Sequence, residues 1–228
     1  MPPIRPLAFL ADAAKALAAR LSFLGRPKDR TLQAALRLKL DTRKWNAELL
    51  KQLEWRRFEE LCAAYYEAAG YATRIDHGGH EGGVDIVVQK GGAQAARVAR
   101  CKAWDAYRVG IKSVREVRRS MVAARLDRGI LLTSGRFTQE AVKLAAAERV
   151  ELVDGAALLD KIAALPPEKA LGLLQFATQG DFLTPTCPSC SIKMIQRQST
   201  REGRKFWGCR NYPICKQTLA GTAANAPD

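Results

Sequence analysis

Asp85 and Lys102 are the two residues whose types and spacing point first to chemistry. Asp85 lies in the run Gly82-Gly83-Val84-Asp85-Ile86-Val87-Val88, and Lys102 closes Arg97-Val98-Ala99-Arg100-Cys101-Lys102. Both runs have the short, β-branched character of strands. Residues two apart on a strand share a face, so Arg100 and Lys102 point together while Cys101 points into the core. Asp85 alternates with Val84 and Ile86 and so leaves the apolar face as well. A carboxylate holding Mg²⁺ lets the ion polarise a phosphate and activate water, which is what phosphodiester hydrolysis needs. A lysine beside it would position the nucleophile or stabilise developing negative charge. An acid and a lysine on neighbouring strands can equally be an edge salt bridge, so the elements around them have to decide.

Those elements read as follows. Residues 1–42 form a helical, polar-interrupted extension with a turn near Gly25-Arg26-Pro27. Its first part, Ile4 to Leu24, is interrupted by Arg5, Asp12, Lys15 and Arg20 and reads as a surface or docking helix rather than a signal peptide. A long helical pattern from Thr42 to Ala69 places Phe58, Leu61, Cys62, Tyr65 and Ala69 on one buried stripe, with Gly70 as its stop. Tyr71 to Ile75 reads as a strand, and Asp76 to Gly83 as a glycine-rich loop carrying His77, His80 and Glu81. The two histidines suit phosphate contact or simple exposure better than metal ligation. Strands at 84–88 and 97–101 flank a turn at Gly91-Gly92. A helix at 111–125, a buried strand at 129–133, a helix at 137–148, a strand at 150–153 and a helix at 155–165 complete an α/β sandwich with a mixed sheet. The expected organisation is the extension (1–42), the sandwich (43–165), a linker with a short helical piece (166–185), a separate module (186–219) and a tail (220–228).

Within this frame Phe58-Glu59, Gly70-Tyr71, Gly83-Val84-Asp85, Cys101-Lys102, Thr133-Ser134-Gly135-Arg136-Phe137-Thr138 and Leu152-Val153-Asp154-Gly155 follow one another in order. The series resembles the Mrr-like restriction endonucleases, a branch of the PD-(D/E)xK nucleases, over roughly residues 50–163. The resemblance implies a restriction-endonuclease-like αβββαβ core and Mg²⁺-dependent DNA cleavage. It also implies Asp85 as metal ligand, Lys102 as catalytic lysine and Glu59 as an acid supporting the metal site.

One position departs from the family pattern. Arg100 stands where Glu or Gln is expected. A guanidinium has donors only and cannot ligate Mg²⁺. Two outcomes are open. Another carboxylate takes the place, with Glu59, Glu81 and Glu116 as candidates, or the domain binds DNA without cutting it and Arg100 contacts phosphate. For Glu116 the plain expectation is a solvated helix residue.

Residues 100–128 hold nine basic and three acidic side chains. Val114, Val117, Met121 and Ala124 make the core stripe of the helix, and Arg108, Lys112, Arg115 and Arg119 fall at three- and four-residue spacings on the other side. A single-sign stripe of this kind suits a phosphate backbone.

Near the C-terminus Cys187-Pro188-Ser189-Cys190 and Cys209-Arg210-Asn211-Tyr212-Pro213-Ile214-Cys215 supply two thiolate pairs. Four thiolates suit a closed, tetrahedral structural Zn²⁺ site. A module of this size has too little core to fold alone, so zinc should provide its folding free energy. The surrounding CPSCSIKM and FWGCRNYPICKQT are very similar to the four-cysteine zinc ribbons of type I DNA topoisomerases over residues 186–219. That similarity implies Zn²⁺ on Cys187, Cys190, Cys209 and Cys215, with single-stranded DNA as a common ligand. Arg204 and Lys205 beside Phe206, Trp207 and Tyr212 add the phosphate contacts and stacking surfaces such a ligand needs. Replacing Cys209 is expected to unfold the ribbon and spare the core.

Composition agrees. The chain of 228 residues has 37 basic against 23 acidic side chains, a formal charge of +14 that suits a polyanionic partner. No run of about 20 apolar residues is present, so membrane insertion is not expected. The sequence therefore predicts a cytoplasmic, nucleoid-associated DNA-binding protein with structural zinc, catalytic magnesium if it is active, and a homodimer as a possible assembly.

Overall fold

A computed structural model describes residues 40–76, 85–89, 96–102, 108–199 and 203–220. Most of the N-terminal extension, the histidines, Glu81 and the Gly91-Gly92 turn lie outside the described residues.

The predicted helix from Thr42 to Ala69 is two helices, α1 (Ala47–Gln52) and α2 (Trp55–Ala68). Asn46 caps α1 through the Leu49 amide at 2.8 Å. Leu53 then turns extended, and Glu54 caps α2 by accepting from the Arg56 amide at 3.1 Å. A residue whose side chain bonds to the amide two residues ahead starts a new helix, which periodicity alone does not reveal. Of the expected stripe Phe58, Leu61, Cys62 and Tyr65 are buried, while Ala69 is half-buried just past the helix end, and Gly70 follows at φ +87°, where glycine is favoured.

Strands β1 (Ala72–Asp76), β2 (Asp85–Gln89) and β3 (Ala96–Lys102) form an antiparallel meander. A short β4 (Arg108–Val109) leads into α3 (Ile111–Ala123). Then follow β5 (Gly129–Thr133), β6 (Arg136–Phe137), α4 (Gln139–Ala147), β7 (Val150–Val153) and α5 (Gly155–Ala163). The main sheet has the order β1-β2-β3-β5-β7, with β3, β5 and β7 parallel, so the mixed sheet is confirmed. β5 is buried along its whole length, as its continuous apolar run requires. Gly129 lets α3 lie close: a Cβ there would stand 2.5 Å from Val117 Cγ1.

Each face of the sheet closes its own core. Ile86, Ala99, Cys101, Ile130, Leu132 and Val153 pack under α1, α2 and α5. Leu131 and Val150 pack under α3 and α4 with Val114, Val117 and Met121. Two recurrent motifs are helix starts: Thr138 caps α4 through the Ala141 amide at 3.2 Å, and Asp154 caps α5 through the Ala157 amide at 2.9 Å.

The stretch expected to be a linker is part of the core. Its helix α6 (Pro167–Thr178) buries Leu173, Leu174 and Ala177, and Phe182 and Leu183 follow into the same cluster. Arg57 donates to the Phe176 carbonyl at 2.6 Å and Lys169 to the Ala68 carbonyl at 2.7 Å, tying α6 to α2. Pro166-Pro167 suggests a break, yet Pro at the first position of a helix is preorganised for it. Beyond it β8 (Ile195–Gln198), β9 (Lys205–Gly208) and β10 (Thr218–Ala220) make a small antiparallel sheet. Among the described residues no helix is long and apolar enough to cross a membrane.

Candidate nuclease site and zinc ribbon

Strand register brings the candidate residues together. Asp85 pairs directly with Arg100 across β2 and β3, and Arg100 pairs with Leu131 on β5. Lys102, two residues further along β3, pairs with Thr133. Directly paired residues share a face of the sheet, and Leu131 belongs to the core under α3 and α4. Asp85, Arg100 and Lys102 are therefore gathered on the α3 side. For Asp85 and Lys102 the structure describes the backbone.

Arg100 is not a bare cation at this site. Its Nη1 lies 3.3 Å from Glu116 Oε2, with the two side chains 12% and 7% exposed. This corrects the expectation of Glu116 as a solvated helix residue: it is buried between the sheet and α3. It also corrects the picture of Arg100 as a free phosphate contact. A nearly buried guanidinium requires a carboxylate, and α3 supplies one two residues after Val114. Glu59 is elsewhere. It is 5% exposed on α2, the helix packed on the opposite face of the sheet, so it does not share a layer with Arg100 and Glu116.

The basic stripe is where periodicity puts it. Lys112, Arg115 and Arg119 are exposed on α3, and Arg108 is exposed just before it. The three α3 cations border a cavity of about 650 Å³ lined by Ile111, Lys112, Arg115, Arg118, Arg119 and Glu148. Arg118 and Glu148 pair across its wall at 2.9 Å, a contact between α3 and the end of α4 that spacing along one helix could not reveal. Four cations against one carboxylate leave the cavity strongly positive.

The four ribbon cysteines converge. Their sulfurs all lie within 4.8 Å of one another, and Cys187 Sγ is 3.8 Å from Cys215 Sγ. Tetrahedral zinc with bonds of about 2.3 Å separates its sulfurs by about 3.8 Å, so the donor set fits the metal. Burial pushes the Cys209 thiol up to about 12. A bound cation would favour loss of that proton. The Asn211 amide donates to Cys209 Sγ at 3.4 Å, the kind of second contact that orients a thiolate.

The aromatics divide. Trp207 is 7% exposed and packs on Met194, Cys187 and Cys209, so it is mini-core rather than the stacking surface expected from sequence. Tyr212 is 60% exposed with the Arg197 guanidinium 5.4 Å from its ring centre, and Ile214 beside it is 95% exposed. Arg204 is exposed and Lys205 half-buried, on the approach to and start of β9.

Comparison with known proteins agrees with this anatomy. Residues 50–162 match the model of the Mrr catalytic domain, described as a restriction endonuclease. Residues 184–221 match the topoisomerase DNA binding C4 zinc finger. An uncharacterized protein of Sinorhizobium fredii, y4cE, is 29% identical over 97 residues, which are 41% of this chain and 25% of that protein. The chain thus spans a quarter of the length of the curated relative it matches. Similar solved structures include the DNA modification-dependent restriction endonuclease AspBHI, at 20% identity and TM-score 0.42 over 77% of this chain and 49% of that one. MspJI restriction endonuclease in complex with a 27-mer oligonucleotide is similar at 16% identity and TM-score 0.31, over 70% and 37%. Residues 50–162 thus carry an Mrr-type restriction endonuclease domain, and behind it the chain carries a topoisomerase-type zinc ribbon.

Proposed function

We propose that this protein is a Mg²⁺-dependent DNA endonuclease of the restriction or DNA-processing type, acting in the cytoplasm at the nucleoid, with a zinc ribbon that helps hold DNA. The observation that carries the reading is the row of paired residues Asp85–Arg100, with Lys102 on the same face and Glu116 neutralising the arginine. A guanidinium beside a metal-binding carboxylate would repel the cation; a carboxylate 3.3 Å from that guanidinium offsets the repulsion.

In this reading Asp85 holds Mg²⁺, and Glu116 adds a second carboxylate to the neighbourhood from α3. The bound ion supplies polarisation of the scissile phosphate and acidification of a water. Lys102 stabilises the charge that builds on the phosphate oxygens. Glu59, buried on the opposite face of the sheet, is left out of the metal site in this reading. Lys112, Arg115 and Arg119 hold the phosphate backbone without reading sequence. Arg204, Lys205 and Tyr212 engage DNA from the ribbon through phosphate contact and stacking. Trp207 serves by holding that surface in shape.

Incubating the purified full chain with plasmid and Mg²⁺ or Mn²⁺ tests the reading. Nicking or linearisation is expected, lost in Asp85→Ala and Lys102→Ala. DNA binding without cleavage under either ion would instead support a silent DNA-binding module, the reading favoured by Arg100 at a ligand position. Cleavage that persists in both variants would refute the assigned roles.

A further inference from the structure

The hairpin that carries the first two zinc ligands is also the part of the ribbon that grips the nuclease core. Glu54, the residue that caps α2, is 2% exposed and accepts four hydrogen bonds. One is local, from the Arg56 amide to Oε2. The other three come from the ribbon hairpin: the Thr186 amide to Oε2 at 3.1 Å, Thr186 Oγ1 to Oε1 at 2.9 Å, and Lys193 Nζ to Oε1 at 2.9 Å. Trp55 returns the contact, its indole Nε1 donating to the Thr186 carbonyl at 2.8 Å. The Glu54 amide donates to the Phe182 carbonyl at 2.9 Å, so the junction is bonded on both sides.

The donors that satisfy Glu54 depend on the ribbon's own fold. Thr186 immediately precedes the ligand Cys187 and bridges to Lys193 across the hairpin. The hairpin is closed by the Cys187 amide on the Ile192 carbonyl at 2.8 Å and the Met194 amide on the Pro185 carbonyl at 2.9 Å. Its apolar support is a handful of residues around Met194 and Trp207, too few to hold it without a metal. A hairpin that lost its shape without zinc would take three of the four donors to Glu54 with it. The carboxylate would then lose the bonds that fix its position, and the start of the helix it caps would loosen. That helix supplies Phe58, Leu61, Cys62 and Tyr65 to the core and carries Glu59.

We propose that the ribbon is a zinc-dependent structural element of the nuclease core, with Glu54 as the coupling residue, so that metal occupancy sets the stability of α2. The inference rests on zinc filling the four-cysteine site and does not depend on whether the core cuts DNA. It also reverses the expectation that the ribbon could unfold and leave the core untouched.

Hydrogen–deuterium exchange on the full chain tests it, with zinc withdrawn by EDTA and its release measured colorimetrically. Zinc withdrawal is expected to speed exchange in the first turns of α2 by about tenfold or more, the scale of losing a helix cap. In zinc-loaded Glu54→Ala those amides should exchange fast already, with little further response to EDTA. Lys193→Met and Thr186→Val, which leave Glu54 in place, should give intermediate responses and serve if Glu54→Ala does not fold. Loss of zinc with unchanged exchange in α2 would overturn the proposal. So would an undiminished EDTA response in Lys193→Met and Thr186→Val, or a protein that folds with no zinc at all.

Discussion

Arg100 and Glu116 form a nearly buried ion pair, 3.3 Å from Nη1 to Oε2, that joins the strand carrying Lys102 to the helix carrying the basic stripe. The pair sits directly beside Asp85 in the register of the sheet. A position where the family pattern has an acid or an amide thus holds a cation whose charge is returned by an acid from the next helix.

Removing one partner should be costly. Glu116→Ala leaves a buried guanidinium without its carboxylate, and destabilisation of about 3–5 kcal/mol is expected by denaturant titration. The double variant Arg100→Met with Glu116→Met should recover most of that loss, because neither charge then needs a partner. Recovery of stability without recovery of cleavage would show that the carboxylate serves the site as well as the fold.

The α3 stripe predicts sequence-independent binding. Replacing Lys112, Arg115 and Arg119 together with Gln should weaken binding to unrelated duplexes by similar factors. The slope of log affinity against log salt should fall by about one per lost phosphate contact. These side chains are exposed, so melting temperature should scarcely change. A loss confined to one DNA sequence would contradict the assignment.

Trp207 and Tyr212 should separate fold from binding within the ribbon. Trp207→Ala empties a packed position beside Met194 and should cost about 3–5 kcal/mol of ribbon stability, read by loss of zinc retention. Tyr212→Ala should retain zinc and lose about 1–3 kcal/mol of single-stranded DNA affinity, measured by fluorescence anisotropy, if its exposed ring stacks on a base.

Zinc content itself is measurable. Metal analysis should find about one Zn per chain, and Cys209→Ser should abolish it. Acidification should release the metal, since protons compete for the thiolates and Cys209 holds its proton tightly when no cation is present.

Gly129→Ala should destabilise the core by about 1–3 kcal/mol, because the added methyl meets Val117 and Met121 at the crossing of β5 and α3. Thermal unfolding checks this, with an unchanged midpoint as the contrary result.

Much of the molecule was legible in one dimension because local rules govern it. The apolar period of α2, the all-buried run of β5, the alternation along β2 and β3 and the paired cysteines each restrict their surroundings within a few residues. Boundaries were less legible where a side chain acts at a distance. Glu54 splits the long helical pattern because Thr186 and Lys193, more than 130 positions away, complete its hydrogen bonds. The stretch 166–185 read as a linker because its prolines are local signals, whereas its burial comes from contact with α2 and α5. The amino-acid order already specified a polyanion-binding chain with an acid, a lysine and four metal-seeking thiols. Only the tertiary structure could decide that Arg100 is neutralised and that the ribbon is bonded to the core. Charge compensation and burial arise between segments distant in sequence, and periodicity carries no information about which distant segment arrives.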